Sequence, residues 1–266
     1  NTSQHRPLIG LLIVQLLTGI LLMPLTNFGS IYLNEVLAFS LQEVSIVIAL
    51  GQVTGMVASI VGGSLSDNRG HKWILFIGVS GIVVSSLLYL IHVPLVVIIL
   101  WCVTNAGVGL SVVSGQGYLT LASNERILGL ASALYNWGYT IGGAVGIPAA
   151  TLILGDDNFS MLGFALLGLG LVAILITSSL PHLGTSLSAD DSTTTSVGYG
   201  VLFRRDLIIL ILLRFLPTCY YGVMTLLPLV IKQQSGSNTA VATYVTVSSI
   251  FASLTQLVAG RIADRY

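Results

Sequence analysis

The chain has 266 residues, 54% of them hydrophobic and only 8% charged, and its ten basic side chains are balanced by ten acidic ones. A water-soluble domain carries roughly 25% charged residues, so this composition excludes one, and the lack of a basic excess argues against a nucleic-acid partner. With a mean hydropathy of +0.93, the sequence predicts an all-α membrane protein, in which each helix satisfies its own backbone polar groups.

A spanning helix needs about 20 mainly apolar residues. Eight runs qualify: 8–33, 44–65, 73–92, 94–121, 127–154, 160–180, 207–231 and 240–263. They are continuous rather than alternating, which favours helices over a barrel. Span 1 carries Gln15 and Asn27. Span 2 carries Gln52 and places Gly51, Gly55, Ser59 and Gly63 four residues apart, on one helical face suited to close packing. Span 4 holds Asn105, ahead of Gly107 and Gly109. Span 5 holds Tyr135, Asn136 and Trp137, with Gly138, Gly142 and Gly146 again at intervals of four. Cys102 and Cys219 lie far apart inside apolar runs, where a thiol acts as a small packing group.

A polar stretch, 182–205, separates the sixth span from the seventh and includes three consecutive threonines, Thr193 to Thr195. It divides the chain into an N-terminal six-helix bundle (1–181), a cytoplasmic central loop (182–205) and the opening of a second bundle (206–266). With the N-terminus in the cytoplasm, Arg6, Arg69, Lys72, Arg126, Arg204, Arg205, Arg261 and Arg265 fall inside and only Lys232 falls outside, the asymmetry that sets membrane orientation. Arg214 lies within span 7, near Tyr220 and Tyr221. Two readings of it stand: a charge serving a solute path, or a long side chain reaching back to the interface.

The second bundle restarts the pattern of the first. Gly63-Ser64-Leu65-Ser66-Asp67 and Gly260-Arg261-Ile262-Ala263-Asp264, the latter followed by Arg265, lie 197 residues apart. The small-residue stripe returns at the same offset as Ser248, Ala252, Gln256 and Gly260. Four further helices would complete the second bundle, so the expectation is eight helices of twelve, in a piece of a longer protein.

The segment Gly63, Leu65, Asp67, Gly70 and Lys72 resembles the cytoplasmic loop motif of the major facilitator superfamily, G-x-L-A-D-R/K-x-G-R/K-R/K. Ser66 stands for Ala, Asn68 for a basic residue beside Arg69, and His71 for the first of the paired basic residues. The resemblance implies a twelve-helix transporter fold in which Gly63, Asp67, Arg69, Gly70 and Lys72, with Gly260, Asp264 and Arg265 in the second copy, form a conformational latch. A plainer role for Asp67 is to cap the start of the third helix. Gly129, Gly138, Gly142 and Gly146 also follow an antiporter motif of the family on span 5. Gly143 replaces its Pro, however, and Ile147 its last Gly, so simple glycine packing is the alternative.

The family uses helices 1, 4 and 7, with parts of 2, 5 and 8, to line its central cavity. On that pattern Asn27, Asn105, Asn136, Arg214 and Tyr220 are the candidate lining residues. The expected function is secondary transport of a small solute by alternating access, in the plasma or inner membrane of the cell. The alternatives are drug–proton exchange and a non-transporting sensor or scaffold. The implied partners are the solute, the lipid bilayer and a coupling proton or other ion, although no predicted span holds an Asp or Glu. His5, His71, His92 and His182 are scattered, and no nucleophile–base pair or nucleotide loop occurs, so neither an enzyme nor a cofactor is expected.

Overall fold

The computed structural model describes residues 2–124, 127–155, 157–183, 205, 209 and 224–263, with the backbone alone at residues 2–5 and 257–263. The helices are α1 (Thr2–Glu35), α2 (Leu41–Arg69), α3 (His71–Ser85), α4 (Pro94–Ala122), α5 (Leu128–Leu154), α6 (Phe159–Ser179), α7 (Leu227–Ser235) and α8 (Asn238–Ala263). No strand occurs among the described residues. Among the described residues, six helices are long and apolar enough to cross a membrane, α3 together with the 3-10 turn that follows it counting as one.

Local chemistry explains the ends. Ser40 and Glu43 open α2 with a capping box: the Ser40 N–H donates to Glu43 Oε2 at 2.7 Å, and the Glu43 N–H donates to Ser40 Oγ at 3.3 Å. Pro94 occupies the first turn of α4, where its missing N–H costs nothing. Asn158 caps α6 by accepting from the Met161 N–H at 3.1 Å. Gly70, at φ 91°, turns the chain from α2 into α3 and donates its N–H to the Ser66 carbonyl at 2.9 Å.

The structure departs from the sequence reading in two elements. Span 3 does not continue as an α-helix to residue 92; it tightens into a 3-10 turn at Ser86–Leu90. The turn delivers the buried Tyr89 hydroxyl across to α1, where it donates to the Leu25 carbonyl at 3.0 Å. Span 7 lies mostly outside the described residues, but its last helix runs on to Ser235, one turn past the expected end. Span 8 forms α8, whose side chains are described only as far as Gln256; Thr239, Thr243, Thr246, Ser248, Ser249 and Ser253 make that described part rich in hydroxyls.

Helices α1 and α5, α2 and α4, α3 and α4, and α5 and α8 make the main pairwise contacts. Small residues set the closest of them. The α2 stripe faces α4: a β-carbon at Gly55 would lie 2.9 Å from the Asn105 carbonyl oxygen, and one at Gly51 would lie 2.5 Å from the Asn105 side chain. The α5 glycines face α1: a β-carbon at Gly146 would lie 2.6 Å from the Ile20 carbonyl oxygen, and Gly142 abuts the Leu16 carbonyl. On the outer surface, large apolar side chains such as Leu152 (85% exposed), Ile60 and Leu175 stand free. Lipid covers such a band without cost, whereas water would not.

Candidate solute cavity and loop motif

Between α1, α5 and the segment from residue 224 to α8 lies a cavity of about 330 Å³. Helix α1 contributes Met23, Thr26 and Asn27, on the turn that contains Pro24, and α5 contributes Thr140. The far wall is Met224 and Thr225, then Tyr244, Val245, Ser248, Ser249 and Ala252 of α8. On α8 these positions are related by steps of three and four residues, so one helical face lines the space.

The polar groups of the wall are neutral. Asn27 Nδ2 donates to the Met23 carbonyl at 2.7 Å, and its side chain forms part of the cavity wall. The Thr26 hydroxyl donates to the Leu22 carbonyl at 2.9 Å, and the Tyr244 hydroxyl points to Met224 Sδ at 3.5 Å. Below the cavity, α5 and α8 are joined by side chains: the Ser253 hydroxyl donates to Thr140 Oγ1 at 2.8 Å, and the Thr140 hydroxyl donates to Gln256 Oε1 at 3.2 Å. Among the described lining residues there is no carboxylate, Lys, Arg or His. Such a wall suits an uncharged or weakly polar solute, with the methionines as adaptable apolar surface.

Of the five residues expected to line a cavity, the structure brings Asn27 to this one. Asn105 lies at the α2–α4 contact, where its Nδ2 donates to the Trp101 carbonyl at 2.9 Å; Trp101, Asn105 and Gly109 share the α4 face that meets the glycines of α2. Asn136 is exposed and donates to the Ser132 carbonyl at 3.0 Å. Arg214 and Tyr220 lie outside the described residues. Sequence reasoning missed Thr140, Tyr244 and Ser249. For Tyr244 and Ser249 the signal was the hydroxyl-rich composition of span 8, which an otherwise lipid-facing helix does not need; Thr140, on span 5, had none.

At the other end of α2, the helix stays regular through Arg69. Asp67 is therefore exposed on its last turn and does not cap α3, whose N-cap position is Gly70 with no side-chain bond. The reason is geometric: the turn occurs three residues after the carboxylate, which remains on α2. A negative charge at a helix C-terminus opposes the dipole, so local stability does not account for Asp67. Arg69 is exposed beside it, Lys72 is half-buried, and the His71 ring packs on Gly117 of α4. Gly63 faces Val113 of α4 at ordinary van der Waals distance. Gly260 lies within α8, while Asp264 and Arg265 fall outside the described residues.

Residues 9–266 match the family pattern of the Major Facilitator Superfamily. The chain belongs to that superfamily. No curated protein matches it individually. As a member of the superfamily it is a multi-pass membrane protein of a transporter family, whose members bind small-molecule substrates and sit in the lipid bilayer. Within that family the neutral cavity and the Asp67 loop stand at different heights of the bundle. Asn27 is on the second half of α1, and Asp67 is at the end of the antiparallel α2.

Proposed function

We propose that this superfamily member is a secondary transporter that carries a small, uncharged or weakly polar solute by alternating access. The carrying observation is that the cavity has two walls from different parts of the chain, α1 and α5 on one side and residues 224–252 on the other. A site split in this way changes its exposure when the two walls rock against each other. In this reading residues 1–181 form one bundle, 182–205 a cytoplasmic loop and 206–266 the start of the second bundle. The N-terminus is cytoplasmic, on the basic-residue asymmetry of the loops, and the protein resides in the plasma or inner membrane. Asp67, Arg69 and Lys72, with Gly260, Asp264 and Arg265 in the second copy, act as the latch at the cytoplasmic end. A coupling proton or other ion would need a titratable group that the described wall does not hold.

Export of amphipathic compounds in exchange for protons is the second reading. Met23 and Met224 support it, because flexible thioether side chains repack around ligands of different shape. The test is a thermal-shift screen of neutral and amphipathic solutes against the purified protein and a Ser249→Trp variant, whose indole would fill the cavity. A solute that raises the melting temperature of the wild type and leaves the variant unchanged is the expected result. Equal shifts in both proteins would move the site elsewhere.

A further inference from the structure

The described residues contain one ion pair, and it joins the two walls of the cavity at the end opposite the Asp67 loop. Lys232 Nζ lies 3.3 Å from Asp157 Oδ1. Lys232 lies in the last turn of α7, and Asp157 sits in the α5–α6 connection, 75 residues earlier. The lysine is 8% exposed and the aspartate 48%. The same carboxylate oxygen accepts from Asn238 Nδ2, the first residue of α8, at 2.8 Å. Beside them Gln233 Nε2 donates to Asn34 Oδ1 of α1 at 3.3 Å. Glu35 is close enough to feel the charges of both Lys232 and Asp157. The tight α7–α8 turn, with Gly236 at φ 67°, keeps Lys232, Gln233 and Asn238 together.

Position gives this cluster its meaning. Asn34 lies seven residues beyond Asn27 on α1, and Asn238 lies seven residues before Val245 on α8; at the helical rise each is about 10 Å past the cavity wall. The cluster therefore spans both walls directly over the cavity. A lysine this enclosed is held by its partners, since an unpaired ammonium away from water is costly. The pair has one member on each wall, so separating the walls breaks it and wets both charges.

We infer that Asp157, Lys232 and Asn238, with the Asn34–Gln233 contact, form the gate that closes the cavity at this end and parts when the walls separate. The inference rests on the transporter reading for what passes through. Asp157 has φ 68°, a left-handed conformation that Asn adopts as readily as Asp, so Asp157→Asn removes the charge and keeps the backbone.

The experiment uses the full chain in membrane vesicles, with Cys102 and Cys219 changed to Ser and a single cysteine introduced by Ser248→Cys. A membrane-impermeant maleimide is applied from each side in turn. From one side, labelling rises roughly fivefold or more in Asp157→Asn and in Lys232→Gln, the low end of coupling between linked sites. The double variant labels no faster than the faster single, because both break one interaction. Unchanged labelling in Asp157→Asn, or additive effects in the double variant, would overturn the gate. Should Lys232→Gln not insert, Asp157→Asn decides alone. The readout involves no solute, so its failure leaves the transporter reading standing, and failure of solute binding leaves the gate standing.

Discussion

The α1–α5 seam and the α5–α8 seam lie on the same helix and are built from opposite materials. Toward α1, α5 presents Gly138, Gly142 and Gly146, and the two backbones approach until no β-carbon fits at Gly142 or Gly146. Toward α8 it presents Thr140, whose hydroxyl meets Ser253 and Gln256. In lipid, close backbone packing gains dispersion energy that is lost if the helices shift, whereas one interhelical hydrogen bond averages only about 0.6 kcal/mol. On the alternating-access reading proposed above, one face of α5 is made to stay and the other to let go. This is the asymmetry expected of a helix that belongs to one rigid half and bears on the other.

The comparison breaks most directly at Gly142. A valine there would drive its side chain into the Leu16 carbonyl, Ile20 and Gly19, and we expect a loss of about 3 kcal/mol, the upper end for overpacking. The readout is the yield and melting temperature of detergent-solubilised protein by fluorescence-detected size exclusion, and a wild-type profile would refute the rigid-seam assignment. Next in size is Gly70→Ala. At φ 91° any side chain strains the α2–α3 turn by about 1–2 kcal/mol. A lower melting temperature with unchanged membrane insertion is expected. Gly168 supplies the contrast, since nothing lies within 4 Å of a β-carbon placed on it. Gly168→Ala in the interior of α6 should stabilise by about 0.5–1 kcal/mol, the entropy cost of a helical glycine, read in the same melting assay.

Gly142, Gly168 and Gly70 also show what could be read in the chain and what could not. Hydropathy located the first six helices, because a run of about 20 apolar residues is itself the physical requirement for crossing. Spacing of four marked the faces of α2 and α5 on which glycines fall, since periodicity is local. Nothing in the sequence distinguishes a glycine against a carbonyl from one facing open space; that depends on which helix comes alongside. Asn105 illustrates the same limit: an amide in a span is equally suited to a cavity or to a seam until its neighbour is known. Lys232 stands out in the sequence only as the one basic residue that the expected topology puts on the far side of the membrane, and its partner Asp157 lies 75 residues earlier. Thr140 gave no signal at all, for a helical threonine usually satisfies itself on the preceding turn, where the Trp137 carbonyl at 3.0 Å is the alternative acceptor for its single hydroxyl proton.

The smallest expected effect is the most informative about the seam that lets go. Thr140→Val keeps the shape of the side chain and removes the hydroxyl that Ser253 and Gln256 meet. Ser253→Ala removes the nearer partner, itself buried at 2% exposure. Each should lower stability by only about 0.6 kcal/mol, because Ser253 retains the Ser249 carbonyl at 2.7 Å and a helix carries most threonine hydroxyls without help. The double variant should cost less than the sum of the singles, since both delete one shared bond. The same substitutions should move the balance between open and closed forms, measured as the labelling rate of a cysteine introduced by Ser248→Cys. The bond exists only while α5 and α8 touch, so its loss weakens one conformation and leaves the other as it was. A Thr140→Val variant with a melting temperature as low as that of Gly142→Val would show that the hydroxyl seam is as permanent as the glycine seam, and the two faces of α5 would then have the same job.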